Sequence, residues 1–394
     1  MTTDIQTMVY CGTAILLASL SVWRNAFCRR PKAEEAARRK PDEDAHINSR
    51  MEDGTISKSQ KVSVVISVHY NAQLIEKNLP VILEQNYAPG YEVVVVDESS
   101  TDDTPDVLKR LKNKYPHLYT TFIPSTSHYL SRRKLALTVG IKAANNEWVI
   151  LTDINNRPAS DKWISAIAGH CSNSADLVLG YTVAEDAASS FIKFVHMQTT
   201  CYSLRSAQLS TAYRSNSSNI AMRKSIFIKN NGFLKNLKYL RGEYDFIVNE
   251  YASAGRTSIA LEEDAGMATM LPSRKEWTNS CLFYMETRKH LHRKLSNRLL
   301  FNTDNIALHL GYLTQFAAIG FGIATSNIAL ISISTLCFAS IVCFRMLLAR
   351  KAFKLFHTSI PLWKVPLFEP MVIFHNLYYI IKHRFSDKYS FIRR

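Results

Sequence analysis

Residues 61 to 153 alternate between two hydrophobic patterns. Val62 to Val68, Tyr91 to Val96, Leu118 to Pro124 and Trp148 to Thr152 are short runs rich in β-branched and aromatic residues. Their length and composition suit strands covered on both faces. Leu74 to Gln85 and Ser131 to Ala144 read as helices between them. Thr104-Pro105 opens another, with a hydroxyl at the capping position and proline in the first turn; Val107, Leu108 and Leu111 form its buried stripe. Alternating strands and helices predict a mostly parallel α/β sheet with helices on both faces.

The ends of the chain follow a different pattern. Met8 to Trp23, Ile306 to Ala324 and Ile328 to Ala349 are apolar runs, the last two separated by Thr325-Ser326-Asn327. A helical span needs about 20 such residues. Pro366 to Ile381 is a further apolar stretch, interrupted by Glu369, Pro370 and His375, and reads as interfacial or spanning. These patterns divide the chain into an N-terminal anchor (1–28), a charged linker (29–60), a catalytic domain (61–290) and a C-terminal membrane region (291–394).

Charge gives the expected orientation. The net charge of +15 is unevenly placed. Arg24, Arg29, Arg30 and Lys32 follow the first run, and basic stretches at His290 to Arg298 and Arg345 to Lys354 flank the C-terminal pair. The positive-inside rule then sets the basic flanks, and the domain between them, on the cytosolic face. Positive charge after the first run rather than before it favours an anchor over a cleaved leader. This placement points to membrane lipid rather than nucleic acid. No zinc-finger spacing or basic heptad region is present, and no G-x-G-x-x-G or Walker sequence. The apolar runs show no charge cluster of the kind that marks a transporter. Seven cysteines, none in a C-x-x-C pair, fit a reducing compartment better than a disulfide framework.

In open α/β sheets ligands sit beyond the carboxyl ends of the strands. Two aspartates, Asp97 and Asp153, stand there. Each can accept a hydrogen bond from a base or ribose, or hold a cation.

Both belong to longer motifs. VVISVHYNA (Val64 to Ala72) and EVVVVDESSTDDT (Glu92 to Thr104) are followed by KLALTVGIKAA (Lys134 to Ala144) and WVILTDINNRPASDKW (Trp148 to Trp163). NIAMRKSIF (Asn219 to Phe227), Asn231-Gly232-Phe233 and GEYDFIVNE (Gly242 to Glu250) come next. In this order, over roughly Val62 to Arg288, they resemble the family 2 glycosyltransferases. The resemblance implies the A-type fold, a Rossmann-like α/β/α sandwich, here between N-terminal and C-terminal transmembrane helices. It implies inverting transfer of a sugar from a UDP- or GDP-linked donor to a lipid-linked or polysaccharide acceptor, with Mg or Mn.

Residue by residue, the resemblance assigns Tyr70, Asn71 and Asp97 to the nucleotide pocket. Lys134 and Arg288 also fall on the donor side. Asp153 and Asn155 occupy the positions of the D-x-D metal motif, and Glu243 or Asp245 the position of the general base. Asp245 is expected to be the more desolvated, because Phe246, Ile247 and Val248 follow it; Glu243, beside Gly242, is expected to be solvated. Three departures matter. Asn155 replaces an aspartate, the acidic block reads Glu243-Tyr244-Asp245, and METRK (Met285 to Lys289) matches the processive Q-x-x-R-W motif only at Arg288. The last points to addition of one or a few sugars. The first two leave an inactive membrane scaffold of the same fold as the alternative. Trp163, Trp277 and Tyr181 are aromatics that either stack on a sugar or belong to the core.

Overall fold

The computed structural model describes residues 2–32, 60–126, 131–185, 187–270 and 274–387. Most of the expected linker, residues 33–59, lies outside them. The chain divides into two units.

The larger unit comprises Pro31–Ala188, Ser203–His292 and Ile381–Arg394. Its centre is strand β1 (Val62–Val68), all seven residues of which are buried. Parallel neighbours lie on both sides: β2 (Tyr91–Asp97), itself followed by β3 (Leu118–Phe122), and β4 (Trp148–Asp153). A strand buried on both faces takes apolar side chains at most positions, which is why β1, β2 and β4 show no regular alternation, whereas β3 at the edge leaves Tyr119 and Phe122 exposed. Beyond β4 the sheet turns mixed. Strand β8 (Ile220–Arg223) pairs antiparallel with both β4 and β6 (Leu177–Leu179), and β9 (Thr257–Ile259) lies parallel to β6. The order is β3-β2-β1-β4-β8-β6-β9. A second sheet joins β5 (Asn156–Pro158), β10 (Gly266–Thr269) and β7 (Tyr181–Ala184).

Helices cover the large sheet. Helix α1 (Ala72–Leu83) buries Ile75, Leu79, Ile82 and Leu83. Helix α2 (Thr104–Lys114) buries the expected Val107, Leu108 and Leu111. Its cap differs from expectation. The N-cap is Asp103, and the Thr104 hydroxyl instead accepts a hydrogen bond from the Asn71 amide at 3.2 Å. Helix α3 (Arg132–Ala143) starts behind an N-cap, Ser131, whose side chain accepts from the Lys134 amide. It runs close to the sheet. A Cβ on Gly140 would lie 2.5 Å from Cγ1 of Val65. Helix α4 (Glu243–Tyr251) carries the acidic block.

The smaller unit comprises Met1–Arg30, Ser189–Tyr202 and Arg293–Ile380. Three of its helices are long and apolar enough to cross a membrane: Ile5–Trp23, Leu295–Ala324 and Ile328–Leu355. The second begins eleven residues before the apolar run at Ile306. Val365–Phe385 is also helical, with Pro370 inside it. The segment Ser189–Tyr202, read from sequence as part of the catalytic domain, groups with these helices. The ring of Phe194 packs on Phe27 and Phe368, and that of Phe191 on Phe368.

The expected absence of charge clusters in the apolar region is corrected here. Arg345 and Glu369 form a buried bidentate pair, 2.6 and 3.0 Å, and Arg345 also donates to the Ser21 carbonyl. Asp304 is held by Arg24, Arg29 and the Tyr202 hydroxyl. Each charge is far in sequence from its partner, so a linear scan of hydropathy does not pair them. Glu369, which seemed to interrupt an apolar stretch, is the counter-charge of Arg345.

Candidate active site

Strand β1 sets the spacing of the site. In its two parallel pairings, Val68 lies opposite Asp97 and Ser67 opposite Asp153. The two aspartates therefore end the two strands that flank β1, on the carboxyl-terminal side of the sheet. Two strand spacings put their backbones about 10 Å apart.

Asp97 is 6% exposed. Its carboxylate accepts from the Ser100 amide at 3.1 and 3.2 Å and from the Ser100 hydroxyl at 2.6 Å. Ser100 Oγ in turn accepts from the Tyr70 amide at 3.0 Å. This ties the turn after β2 to the turn after β1. Both turns need left-handed backbone, at Ser99 (φ 63°) and Tyr70 (φ 51°). The Tyr70 ring is exposed. The Asn71 side chain donates to the His69 carbonyl at 2.8 Å. Burial, with the nearby Arg132 charge, lowers the His69 pKa, so this imidazole is neutral at pH 7.

Asp153 is not free. Its Oδ1 is paired with the Arg133 guanidinium and accepts from the Tyr244 hydroxyl at 2.5 Å. Arg133 comes from the first turn of α3 and lies 5.7 Å from the centre of the Tyr244 ring. Burial opposes the Arg133 charge, but Asp153, Tyr244 and Glu243 outweigh it and hold the guanidinium ionised. Burial, together with the Asp153 charge, keeps the Tyr244 phenol well above its ordinary range, so it acts as a donor. Arg132, its neighbour on α3, donates to the Glu98 carbonyl and the Ser99 hydroxyl, both at 2.9 Å. Burial raises the Glu98 carboxyl while Arg133 and Arg241 draw it back. Arg133, Tyr244 and Glu98 were not singled out from the sequence.

Helix α4 delivers the acidic block. It is capped by Gly242 in the left-handed region, φ 90°, where a Cβ would meet Thr287 Cγ2 at 2.5 Å. Glu243 and Asp245 are both buried, at 5% and 8% exposure. The expectation that Glu243 is solvated is thus corrected: Gly242 tucks the first turn against Thr287 rather than leaving it in water. Burial raises the Asp245 pKa in the expected direction, and Arg214 and the Ser215 amide pull it back. Those partners occupy it, with Arg214 Nε at 3.5 Å and the Ser215 amide at 3.1 Å. Arg214 is itself fixed over the Tyr284 ring, 3.8 Å from its centre. Glu243 is different. Its Oε1 is buried with no hydrogen-bond partner.

The other expected residues are placed as follows. Lys134 is fully buried, and its ammonium donates to the Asn236 and Tyr239 carbonyls at 2.7 and 2.6 Å. It supports the loop before α4. Burial lowers its pKa to about 8. Arg288 is half-buried at the end of helix Arg274–Thr287. Trp163 and Tyr181 are core residues, and the Trp163 indole donates to Asn219 at 3.2 Å. Trp277 is half-exposed.

Mg or Mn fits these residues poorly. A divalent ion bound beside a diphosphate requires one or two free carboxylates. Here Oδ1 of Asp153 already holds a guanidinium and a phenol, and Asn155 brings a neutral amide on an exposed side chain. Among the described residues no group of three or more His, Cys, Asp or Glu side chains could hold a metal.

Comparison with known proteins agrees with the geometry. Residues 63–230 match the model for "Glycosyl transferase family 2". The chain is 24% identical over 145 residues to "Probable glycosyltransferase YdaM" of Bacillus subtilis, a stretch covering 36% of this chain and 34% of that one. It is 27% identical over 123 residues to a poly(ribitol-phosphate) beta-glucosyltransferase of Bacillus spizizenii, over 30% of this chain and 19% of the relative. The chain thus spans about a third or less of the length of these relatives. The mannosyltransferase PcManGT of Pyrobaculum calidifontis, solved in complex with GDP-Man and Mn2+, superposes with a TM-score of 0.51. The match covers 94% of this chain and 98% of that one at 16% identity, a likeness of fold. The matched motifs, the strand-end aspartates and the mixed α/β sheet agree: residues 63–230 match glycosyl transferase family 2, and the fold is that of a solved glycosyltransferase.

Proposed function

We propose that the protein transfers a sugar, with inversion, from a UDP- or GDP-linked donor to a lipid-linked or polysaccharide acceptor at the cytosolic membrane face. The observation that carries this reading is the buried, unpartnered Oε1 of Glu243, in a chain whose residues 63–230 match the family 2 model. Leaving a buried carboxylate oxygen unbonded costs a folded protein on the order of 1–3 kcal/mol, more when charged. A hydroxyl donated by an acceptor supplies the missing partner. Glu243 takes that proton as the acceptor oxygen attacks the anomeric carbon. The bond from that carbon to the diphosphate breaks, and the nucleoside diphosphate leaves with the electron pair. Tyr70, Asn71 and Asp97 receive the nucleoside at the neighbouring turns. Asp245, tied to Arg214 and Ser215, positions α4. This reverses the order expected from the apolar residues after Asp245.

The membrane placement rests on the three long apolar helices and the basic residues beside them. The name of the poly(ribitol-phosphate) relative supports a polymer acceptor.

The test is nucleotide release from a panel of UDP- and GDP-sugars by the purified full-length protein, with Glu243→Gln and Asp245→Asn beside it. Glu243→Gln keeps nucleotide affinity and loses turnover by at least about 100-fold. If Asp245→Asn shows that pattern and Glu243→Gln does not, the two roles are exchanged. If wild type releases no nucleotide but still binds it, the inactive scaffold is the correct reading.

A further inference from the structure

A diphosphate leaving group needs positive charge, and the structurally similar PcManGT was solved in complex with GDP-Man and Mn2+. In this chain the D-x-D position holds something else. Arg133 sits on Asp153, and the Tyr244 hydroxyl closes on the same oxygen. A divalent ion bound through Oδ1 of Asp153 must displace the guanidinium and the phenol, and beyond that one carboxylate only a neutral amide, Asn155, is added. Arg132 is turned the other way, donating to the Glu98 carbonyl and the Ser99 hydroxyl.

Arg133 is well prepared for another use. It projects from the first turn of α3, where the helix dipole already favours an anion. Its Nε is buried with no hydrogen-bond partner. A guanidinium presents two parallel N–H groups to a phosphate, a geometry that a lone ammonium lacks. We infer that Arg133, oriented by Asp153 and Tyr244, takes the place of the divalent cation and holds the donor diphosphate through transfer. As the anomeric C–O bond breaks, its electron pair passes to the β-phosphate oxygen, and Arg133 faces the charge that develops there. Asp153 is then a positioning residue for Arg133 rather than a metal ligand. This inference rests on the transferase reading above.

The test uses full-length protein in detergent and the probes UDP and GDP, with affinity measured calorimetrically in EDTA and again in Mn2+. Wild type is expected to bind one nucleotide in EDTA, with Mn2+ changing the affinity less than about 3-fold. Arg133→Gln is expected to weaken binding at least about 10-fold in both conditions. Asp153→Asn, nearly isosteric, retains the guanidinium and should keep binding in EDTA. A metal site predicts the opposite: wild-type binding that requires Mn2+, and loss of the Mn2+ effect in Asp153→Asn. Either result overturns the inference and leaves the transferase reading intact. So does full affinity in Arg133→Gln. Melting curves without nucleotide identify a variant that has not folded; if Arg133→Gln is one, the wild-type and Asp153→Asn titrations decide alone. If neither nucleotide binds in any condition, the transferase reading falls, and this inference with it.

Discussion

Gly140 lies within α3, where glycine is a poor helix former, and its replacement by alanine measures how rigidly Arg133 is held. On propensity alone Gly140→Ala should stabilise by about 1 kcal/mol. The structure predicts the opposite. The new Cβ would lie 2.5 Å from Val65 Cγ1 and 3.1 Å from Val96 Cγ2, against an ordinary contact of 3.4 Å or more. Val65 and Val96 are fully buried in adjacent central strands, so neither can swing aside. Overpacking of this kind costs about 1–3 kcal/mol, and a gap of 0.9 Å (3.4 less 2.5) in a fixed sheet belongs at the upper end. The net expectation is a loss of about 2 kcal/mol, or roughly 4–8 °C in melting temperature for a domain of this size. The helix must also shift by up to the same distance, taking Arg133 with it. Differential scanning fluorimetry should therefore show a lower melting temperature, and calorimetry a weaker nucleotide. Adding Val65→Ala removes the clashing methyls, so the double mutant should lose less than the two single changes summed. An unchanged or raised melting temperature in Gly140→Ala would refute the reasoning, since it would mean that helix and sheet separate freely.

Three further outcomes follow from other parts of the molecule. Lys134→Met should leave nucleotide affinity within a few-fold of wild type, because the ammonium is turned to the Asn236 and Tyr239 carbonyls. It should also remove a pH dependence. With a folded pKa of about 8, below the ordinary 10.5, the unfolded chain binds more protons in that window, so wild-type melting temperature gains a contribution as pH rises from 8 toward 10.5 that the variant lacks. Glu369→Gln strands the Arg345 charge and should cost about 3–5 kcal/mol, whereas replacing both residues with methionine should recover most of it; detergent melting curves compare the two. High-salt washing should leave the protein in the membrane fraction, since salt screens basic contacts but not apolar burial; release of intact protein would count against the spans.

Much of the large unit was legible because its central strands are buried on both faces. Val62–Val68 and Trp148–Asp153 could be read as strands to within a residue, since continuous β-branched runs of that length have few other uses. The edge beyond β4 was not legible. Strands β6, β9 and β5 have three residues each, and β7, β8 and β10 have four. No periodicity can be measured over so few positions. Their pairing depends on partners dozens of residues away, as β8 inserts antiparallel between β4 and β6. The grouping of Ser189–Tyr202 with the apolar helices was hidden for a similar reason: Phe191 and Phe194 face rings contributed by residues 27 and 368.

The site divides along the same line between local and distant causes. Asp97 and Asp153 were readable, because a carboxylate at the end of a buried strand is a local pattern. The desolvation of Asp245 was inferred from the residues next to it. That argument gave the direction of its pKa correctly, yet its counter-charge, Arg214, lies thirty-one residues earlier and no local window contains it. The carboxylate that remains without a partner is Glu243, and only three dimensions reveal that. Arg133, by contrast, left a sign in the sequence. A helix N-terminus disfavours cations, and Arg132-Arg133 follow directly on the N-cap Ser131. Two arginines placed against the dipole must be held by something outside the helix. For Arg132 it is the turn after β2; for Arg133 it is Asp153. A basic pair in the first turn of a helix, next to a strand-end aspartate that lacks its second carboxylate, is therefore a readable mark of an arginine standing at a metal position. Family 2 glycosyltransferases with asparagine at the position of Asn155 should carry the pair if the reasoning is general.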